Sequence, residues 1–575
     1  MYRANLFDLI EKPISLSNII LHHRYREHLH HSMEFWQQYP LAPQQANGDE
    51  EKYADRRGNF SKGLPHDECG RVEQSAYNRL LQTLSTATLG DFDSVLSALP
   101  ASLSHHFVHQ QTGMLSGLIG PDAAHLALPA PSAFGSIDLT AELVENYWMS
   151  QMRDIHFADY ATNAIANEAV ADFEQALSGN LVLRKILFKR DPNLANQPLT
   201  PNRILRGTFI GERVGPYLSQ FLLQDCFVGS QQLDQRMRTV QPEIDYMTDF
   251  DTWLAAQQGV KQPRATFDAH PRFIRNGRDL GHWVQQGFLF QPYSSTCLQL
   301  LANQAELNPT NPYRNVSNQA GYTTFGGAHV LSLVTEVAAR AVKAIWYQKW
   351  AIHRRLRPEA LAARIHTQFV GAERGHWANF DIAPTIQETQ VIHRLFRKQG
   401  SLLLPMALPE GSPQHPSYGS GFAAVAGACT TILKAWFHGA QKFHNLCHAY
   451  SNTHLQLLQA SPSGLTRVLY NGDDVGDLTV EGELNKLAGN VAMAGVFAGV
   501  HFRSDARESL LLGEKVAIGS LLDYTGMFND PHVRFRFNSF TGHNVEVGAH
   551  QVWIDGNAVI FQSRSFSEEL SALDT

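Results

Sequence analysis

Cysteine is scarce in this 575-residue chain: Cys69, Cys226, Cys297, Cys429 and Cys447 are scattered and never form a CxxC pair. An odd, sparse set of this kind speaks against a disulfide framework and fits a reducing compartment, with thiols serving as small core residues. Long apolar runs are missing too. The most apolar stretch, LAGNVAMAGVFAGV from Leu487 to Val500, is too short to cross a bilayer. Positive charge is not in excess: 47 Lys and Arg stand against 54 Asp and Glu, a formal net charge of −7. With no basic stripe to reverse that balance, nucleic acid is not an expected partner, nor is a membrane. The start, MYRANLFDLIEKPISL, lacks the charged, apolar, small-residue order of a secretory signal. The expectation is a soluble, cytoplasmic protein. Its 43% apolar and 18% charged residues are ordinary for a folded chain.

Histidine is abundant, with 27 residues. LHHRYREHLHHSMEF near the N-terminus has no clean metal-ligand spacing and reads as an exposed amphipathic helix. Elsewhere helical periodicity dominates. Apolar residues recur every three or four positions over 141–177, 281–307, 326–356, 420–437 and 481–524, which predicts helical bundles. Turn residues mark 39–70 as a long ordered loop, and a Pro-rich segment, 404–419, leads into Ser420-Gly421. After Pro531 the period changes to two, and Asp555-Gly556 lies between alternating apolar residues, a hairpin signal. The expected architecture is all-α: an N-terminal helix and loop over 1–70, a helical body over 71–530 and a small β element over 531–575.

Three segments carry residues suited to an oxyanion. Lys349 and Arg357 in YQKWAIHRRLRPEA lie eight residues apart. Two turns of one helix would put both cations on nearly one face, with Pro358 stopping the helix. The competing reading is a solvated basic stripe that includes Arg354 and Arg355. In HPSYGSGF, Ser420 offers a hydroxyl and Gly421 an approachable N–H at a helix start, though an ordinary N-cap has the same appearance. In GVHFRSDARESLLLGE, Asp505 follows His501 by one turn and can orient its imidazole. A satisfied core histidine is the alternative there.

Taken in order, these segments resemble the vanadium-dependent haloperoxidases and the related acid phosphatases. The likeness is greatest to the algal and cyanobacterial bromoperoxidase-type branch, and it extends to GLPHDECG, VGPYLSQFLLQ and RFIRNGRDLG. The resemblance implies an all-α fold of two four-helix bundles and assembly into a homo-oligomer. It further implies a vanadate pocket in which one Lys and two Arg neutralise the oxyanion while a Ser hydroxyl and a Gly N–H add hydrogen bonds. One His binds the metal axially, and a second, directly after Ser-Gly, moves protons. Lys349, Arg357, Ser420, Gly421 and the axial His501 match these positions. His415 matches an outer histidine of the branch, and Trp346, one turn before Lys349, matches a halide-pocket side chain.

Two positions depart. The acid–base histidine is Phe422, and the second arginine, six residues before His501, is Gly495. A general acid–base contributes roughly 10²–10⁴-fold, which Phe cannot supply. Loss of one charge-assisted contact costs about 1.5–3 kcal/mol of oxyanion affinity. His353, between Lys349 and Arg357, and Arg503 are the residues in sequence that could stand in for the missing groups. Three readings stay open: a pocket repurposed for acid–base chemistry by His501 and Lys349 on a small organic substrate of natural-product type, with little vanadium dependence; a weakened vanadate-dependent bromo- or iodoperoxidase; and a non-catalytic relative. Phosphate or sulfate could occupy such a pocket as well. The branch can also carry calcium before the Lys-bearing helix, but NPYRNVSNQAGYTTFGG has no carboxylate, and no ion is expected there.

Overall fold

A computed structural model describes residues 39–86, 119–370 and 382–575, apart from single positions at 452, 529, 531, 549, 562 and 563. It also describes Gly113, Gly117 and scattered positions between 26 and 37, so most of the histidine-rich N-terminal segment lies outside the described residues. The helices used below are α1 (Ile137–Met152), α2 (Gly277–Gln286), α3 (Gln291–Ala302), α4 (Gly327–Tyr347), α5 (Pro358–Phe369), α6 (Gly421–Trp436), α7 (Val480–Phe497) and α8 (Arg503–Thr525).

Helix α6 is the axis of the body. Its residues 423–436 are buried throughout, and it packs against α4, α7 and α8. Small residues allow the closest approach. A Cβ on Gly427 would lie 2.0 Å from the Leu510 carbonyl oxygen, and one on Gly513 would lie 2.0 Å from that of Ala424. Backbone therefore meets backbone where α6 crosses α8, and no larger side chain fits either position. Helix α1 contacts α5, α7 and the helix Gln390–Gln399, adding a second helical group beside this bundle.

The C-terminal element is a four-stranded antiparallel sheet formed by 534–538, 544–548, 551–554 and 557–558. Its first two strands lie against α6 and α8. Asp555 and Gly556 form the two-residue turn, with φ of 51° and 81°, between the paired Ile554 and Asn557. This is the left-handed pair that a tight hairpin requires.

Three of the long periodic stretches are broken rather than continuous. The first stops at Met152 and resumes at Ala164, where Asn163 caps the new helix. The second breaks at Gly287, and Pro292 opens α3, its missing N–H costing nothing in the first turn. The third breaks at Gly499, whose φ of +81° ends α7 and frees the residues before α8. His501 lies in that break.

Candidate functional site

The Lys349–Arg357 segment differs from the expected two helical turns. Helix α4 ends at Tyr347, a π-helical turn spans Gln348–His353, and Arg354 takes a left-handed φ of 41°. Pro358 begins α5 rather than stopping a helix, with Arg357 as its N-cap residue. The chain thus leaves helical geometry between the two cations, and both are buried. The solvated-stripe reading fails as well. Arg354 pairs with Glu50, and Arg355 spans Glu142 and Asp505, each at 2.9 Å.

Lys349 Nζ donates to the carbonyl oxygens of Pro416 at 2.6 Å and Ser417 at 3.2 Å. Arg357 donates to the His415 carbonyl at 2.9 Å and the Val500 carbonyl at 2.6 Å, and its Nη2 lies 2.9 Å from His415 Nδ1. Because a guanidinium only donates, His415 Nδ1 accepts. Arg357 Nη1 also faces His501 Nε2 at 3.3 Å, while His501 Nδ1 lies 3.1 Å from Asp505 Oδ2. The assigned tautomer therefore carries its proton on Nδ1 and turns the Nε2 lone pair toward Arg357. Asp505 is fixed from several sides, by Arg355, the Ser417 hydroxyl and the Phe502 N–H.

Burial and the positive neighbours set the protonation states. Burial, then Arg357 and Lys349, push the His501 pKa down to about 3 against the opposing pull of Asp505, so the ring is neutral. Burial and then Arg357 lower Lys349 well below the ordinary lysine value. Burial alone would raise Asp505, but Arg355, His501 and Ser417 hold it below the usual carboxylate range. Burial also leaves His415 neutral, reinforced by Lys349 and Arg357.

Ser420 caps α6, its Oγ accepting from the Ala423 N–H, and its own N–H donates to Ser509 Oγ at 2.8 Å. A Cβ on Gly421 would fall 2.6 Å from the Trp346 ring, so the indole lies directly over the start of α6. Trp346 also stands 5.1 Å from the His415 ring and 5.5 Å from Lys349 Nζ. The remaining two positions border this cluster differently. Gly495 and Phe422 are half-buried, whereas His501, Lys349 and Arg357 are buried. A Cβ on Gly495 would meet His501 Cδ2 at 3.0 Å. The imidazole already occupies part of the space that a side chain at 495 needs.

His353, for which the sequence also allows a surface histidine on a basic helix, and Arg503 are both held by other partners. His353 is buried rather than on the surface. It bonds Gln348 at 3.2 Å and sits edge-on to Tyr418 at 4.9 Å. Arg503 is held by Glu145 and by the Arg206 carbonyl. Conversely, Glu142, Ser417 and Ser509 support the site without having been singled out in the sequence, as does Arg355, which the sequence offers only as part of a basic stripe. Apart from the bond of Ser509 to the Asp505 carbonyl, their partners lie far along the chain, and no local spacing marks them.

A family model described as the VCPO second helical-bundle domain matches residues 329–530, the span holding every residue of the cluster except Glu142. The vanadium-dependent bromoperoxidase of Corallina officinalis is 33% identical over 583 residues, covering 88% of this chain and 95% of that protein. The chain belongs to the vanadium-dependent haloperoxidases. Within the family, the vanadium-dependent bromoperoxidase of Ascophyllum nodosum is 31% identical, covering 86% of this chain and 87% of its own. The homohexameric structure of the second vanadate-dependent bromoperoxidase from Ascophyllum nodosum superposes with a TM-score of 0.83 at 27% identity, covering 96% of this chain and 93% of that one.

Set against the family's cofactor, the donor set fits in part. The Nε2 lone pair of His501, two buried cations, the Ser420 hydroxyl and the start of α6 suit an oxyanion. A second guanidinium and a proton-transferring side chain after Gly421 do not exist here, since those positions hold Gly495 and Phe422.

Proposed function

We propose that this haloperoxidase-family chain is an enzyme that has turned its pocket to a small organic anion of natural-product type, with little dependence on vanadium. One observation carries the reading: a Lys349–Arg357–His501 centre persists while an apolar ring and a glycine stand where peroxide chemistry needs a proton carrier and a third cation. Phe422 and Trp346 supply apolar surface, and the half-buried Gly495 brings no side chain of its own against His501. Such a mixture suits an organic molecule better than a hydrated halide.

The residues divide the work by charge state. His501 is neutral, with Nδ1–H on Asp505, and offers Nε2 as a ligand or nucleophile rather than a ready base. Lys349, whose proton is loosened by burial, is the better placed proton carrier. A bound anion raises the pKa of both groups, since opposite charge favours their protonated forms. Vanadate, where bound, would be held by Lys349, Arg357, Ser420, Gly421 and His501 and would supply Lewis-acid activation of peroxide. Phosphate or sulfate fits the same donors. A cytoplasmic homo-oligomer remains part of the proposal.

A weakened bromo- or iodoperoxidase is the second reading. It is favoured by the His501 tautomer, which already presents Nε2. The decisive assay is bromide- and peroxide-dependent bromination of a simple diketone after vanadate loading. The wild type is expected at background, with Phe422→His rising by roughly 10²–10⁴-fold. Phe422→His/Gly495→Arg adds less than its charge suggests, because the 495 side chain must displace His501 by a few tenths of an ångström. A wild type that brominates as fast as these variants would sink the repurposing proposal. Failure of the wild type to bind phosphate at all would favour the non-catalytic reading instead.

A further inference from the structure

A cavity of about 420 Å³ lies outside the His501 centre, lined in part by Arg203, Arg206, Arg213, Tyr217, Arg275 and Asp474. None of Lys349, Arg357, Ser420 or His501 lines it. The size is that of a small-molecule pocket. Its charges are poorly matched. Arg206 is 7% exposed; its Nη atoms reach only the carbonyl oxygens of Glu212 and Gly215, at 3.2–3.3 Å, and its buried Nε has no partner. Arg213 spends Nε on the Gly207 carbonyl at 3.1 Å and leaves a buried Nη2 without a partner. Arg203 is exposed and forms no ion pair among the described residues. Arg275 alone is paired, with Asp279 at 2.8 Å.

None of the other three makes an ion pair among the described residues. Asp474 receives the Gly215 N–H at 2.6 Å and the Tyr470 hydroxyl at 2.7 Å, and it forms no ion pair with an arginine. Glu212 accepts the Phe209 N–H at 2.8 Å, and burial pushes its carboxyl up to about 7 against the pull of Arg213, Arg503 and Arg206. Buried guanidinium groups without a carboxylate are costly, and their forked donors match phosphate oxygens. Leu218, Leu223 and Ile274 add apolar wall.

We propose that this cavity is a second, separate binding site for a phosphomonoester dianion that carries a small apolar group. Three guanidinium groups without an ion pair call for more charge than one carboxylate brings, and the apolar wall takes the organic part. Phenylphosphonate, which has no ester bond to hydrolyse, is the probe. Calorimetric titration of the full chain should show binding that survives Lys349→Met and, in that background, weakens at least tenfold on adding Arg203→Ala/Arg213→Gln. Binding lost in Lys349→Met would assign the anion to the His501 centre alone and overturn the proposal, as would binding that the added double substitution leaves unchanged or no binding by the wild type. Should the double variant unfold, the wild type still decides. Phenylphosphonate should slow phenylglyoxal modification of Arg203, mapped by mass spectrometry, and an unslowed reaction overturns the site.

Discussion

Arg355 and Arg357 are two residues apart and equally buried, yet they are treated in opposite ways. Arg355 sits between the carboxylates of Glu142 and Asp505, each at 2.9 Å. Arg357 forms no ion pair among the described residues and hydrogen-bonds only to carbonyl oxygens and histidine nitrogens. The lysines repeat the contrast. Lys62, Lys434 and Lys486 are buried against Glu359, Glu514 and Glu483 at 2.8, 3.5 and 2.5 Å, whereas Lys349 has two carbonyls. These four cations are neutralised from within. The pair beside His501 forms no ion pair among the described residues, and on the function proposed above that is where an anion from outside binds.

The sharpest way to break this contrast is to remove each arginine in turn. Arg355→Met leaves Asp505 and Glu142 buried without their cation and should cost about 3–5 kcal/mol in urea unfolding. Arg357→Met strands no carboxylate and should cost clearly less. Added phosphate should then raise the stability of the wild type more than that of Arg357→Met, because a ligand stabilises the form that binds it and only the site beside His501 differs between the two. Equal costs, or equal responses to phosphate, would erase the distinction.

Acid unfolding sharpens the comparison further. His66, His353 and His501 are all pushed down to about 3 from 6.5, burial being the largest cause. The folded chain refuses protons that the unfolded chain accepts between those values. Stability is therefore complete above about pH 6.5 and is lost as pH falls toward 3, by up to about 1.4 kcal/mol per pH unit for each histidine. His353→Gln should flatten that slope by one histidine's share in pH-dependent urea melts. Arg357→Met should raise the His501 pKa, read by NMR of labelled histidine, since it deletes the adjacent positive charge. The smallest expected effect is at the helix start, where Ser420→Ala removes a cap and should cost about 1 kcal/mol, read as a lower Tm.

Legibility in the sequence followed distance along the chain. The Asp555-Gly556 hairpin is a matter of two residues and was readable as written. Helical stretches were found, but their breaks were not, because periodicity continues through Gly287 and Gly499 while the backbone turns. For Lys349 and Arg357 the spacing predicts one regular helix, whereas a π-helical turn and a left-handed Arg354 lead from one to the other. Asp505 was legible as the partner of His501, four residues away. Its tie to Arg355 spans 150 residues and that of Arg355 to Glu142 spans 213, beyond any local pattern. Two histidines and a serine can be matched to positions in a motif; the ledger of which cations are already neutralised exists only once the chain is folded.

The turn at Gln348–His353 has a consequence for how such a site can change over time. A π-helical turn holds one residue more than the α-helix would at the same rise, so the spacing of Lys349 from Arg357 depends on a count of residues as much as on their identity. Substitutions such as those at positions 422 and 495 alter chemistry and leave that count untouched. A single deletion anywhere in 348–353 would let the helix regularise and carry one cation away from the other. The pocket can drift in what it does by exchanging side chains, but its length at this turn is fixed as long as it is to hold an anion at all.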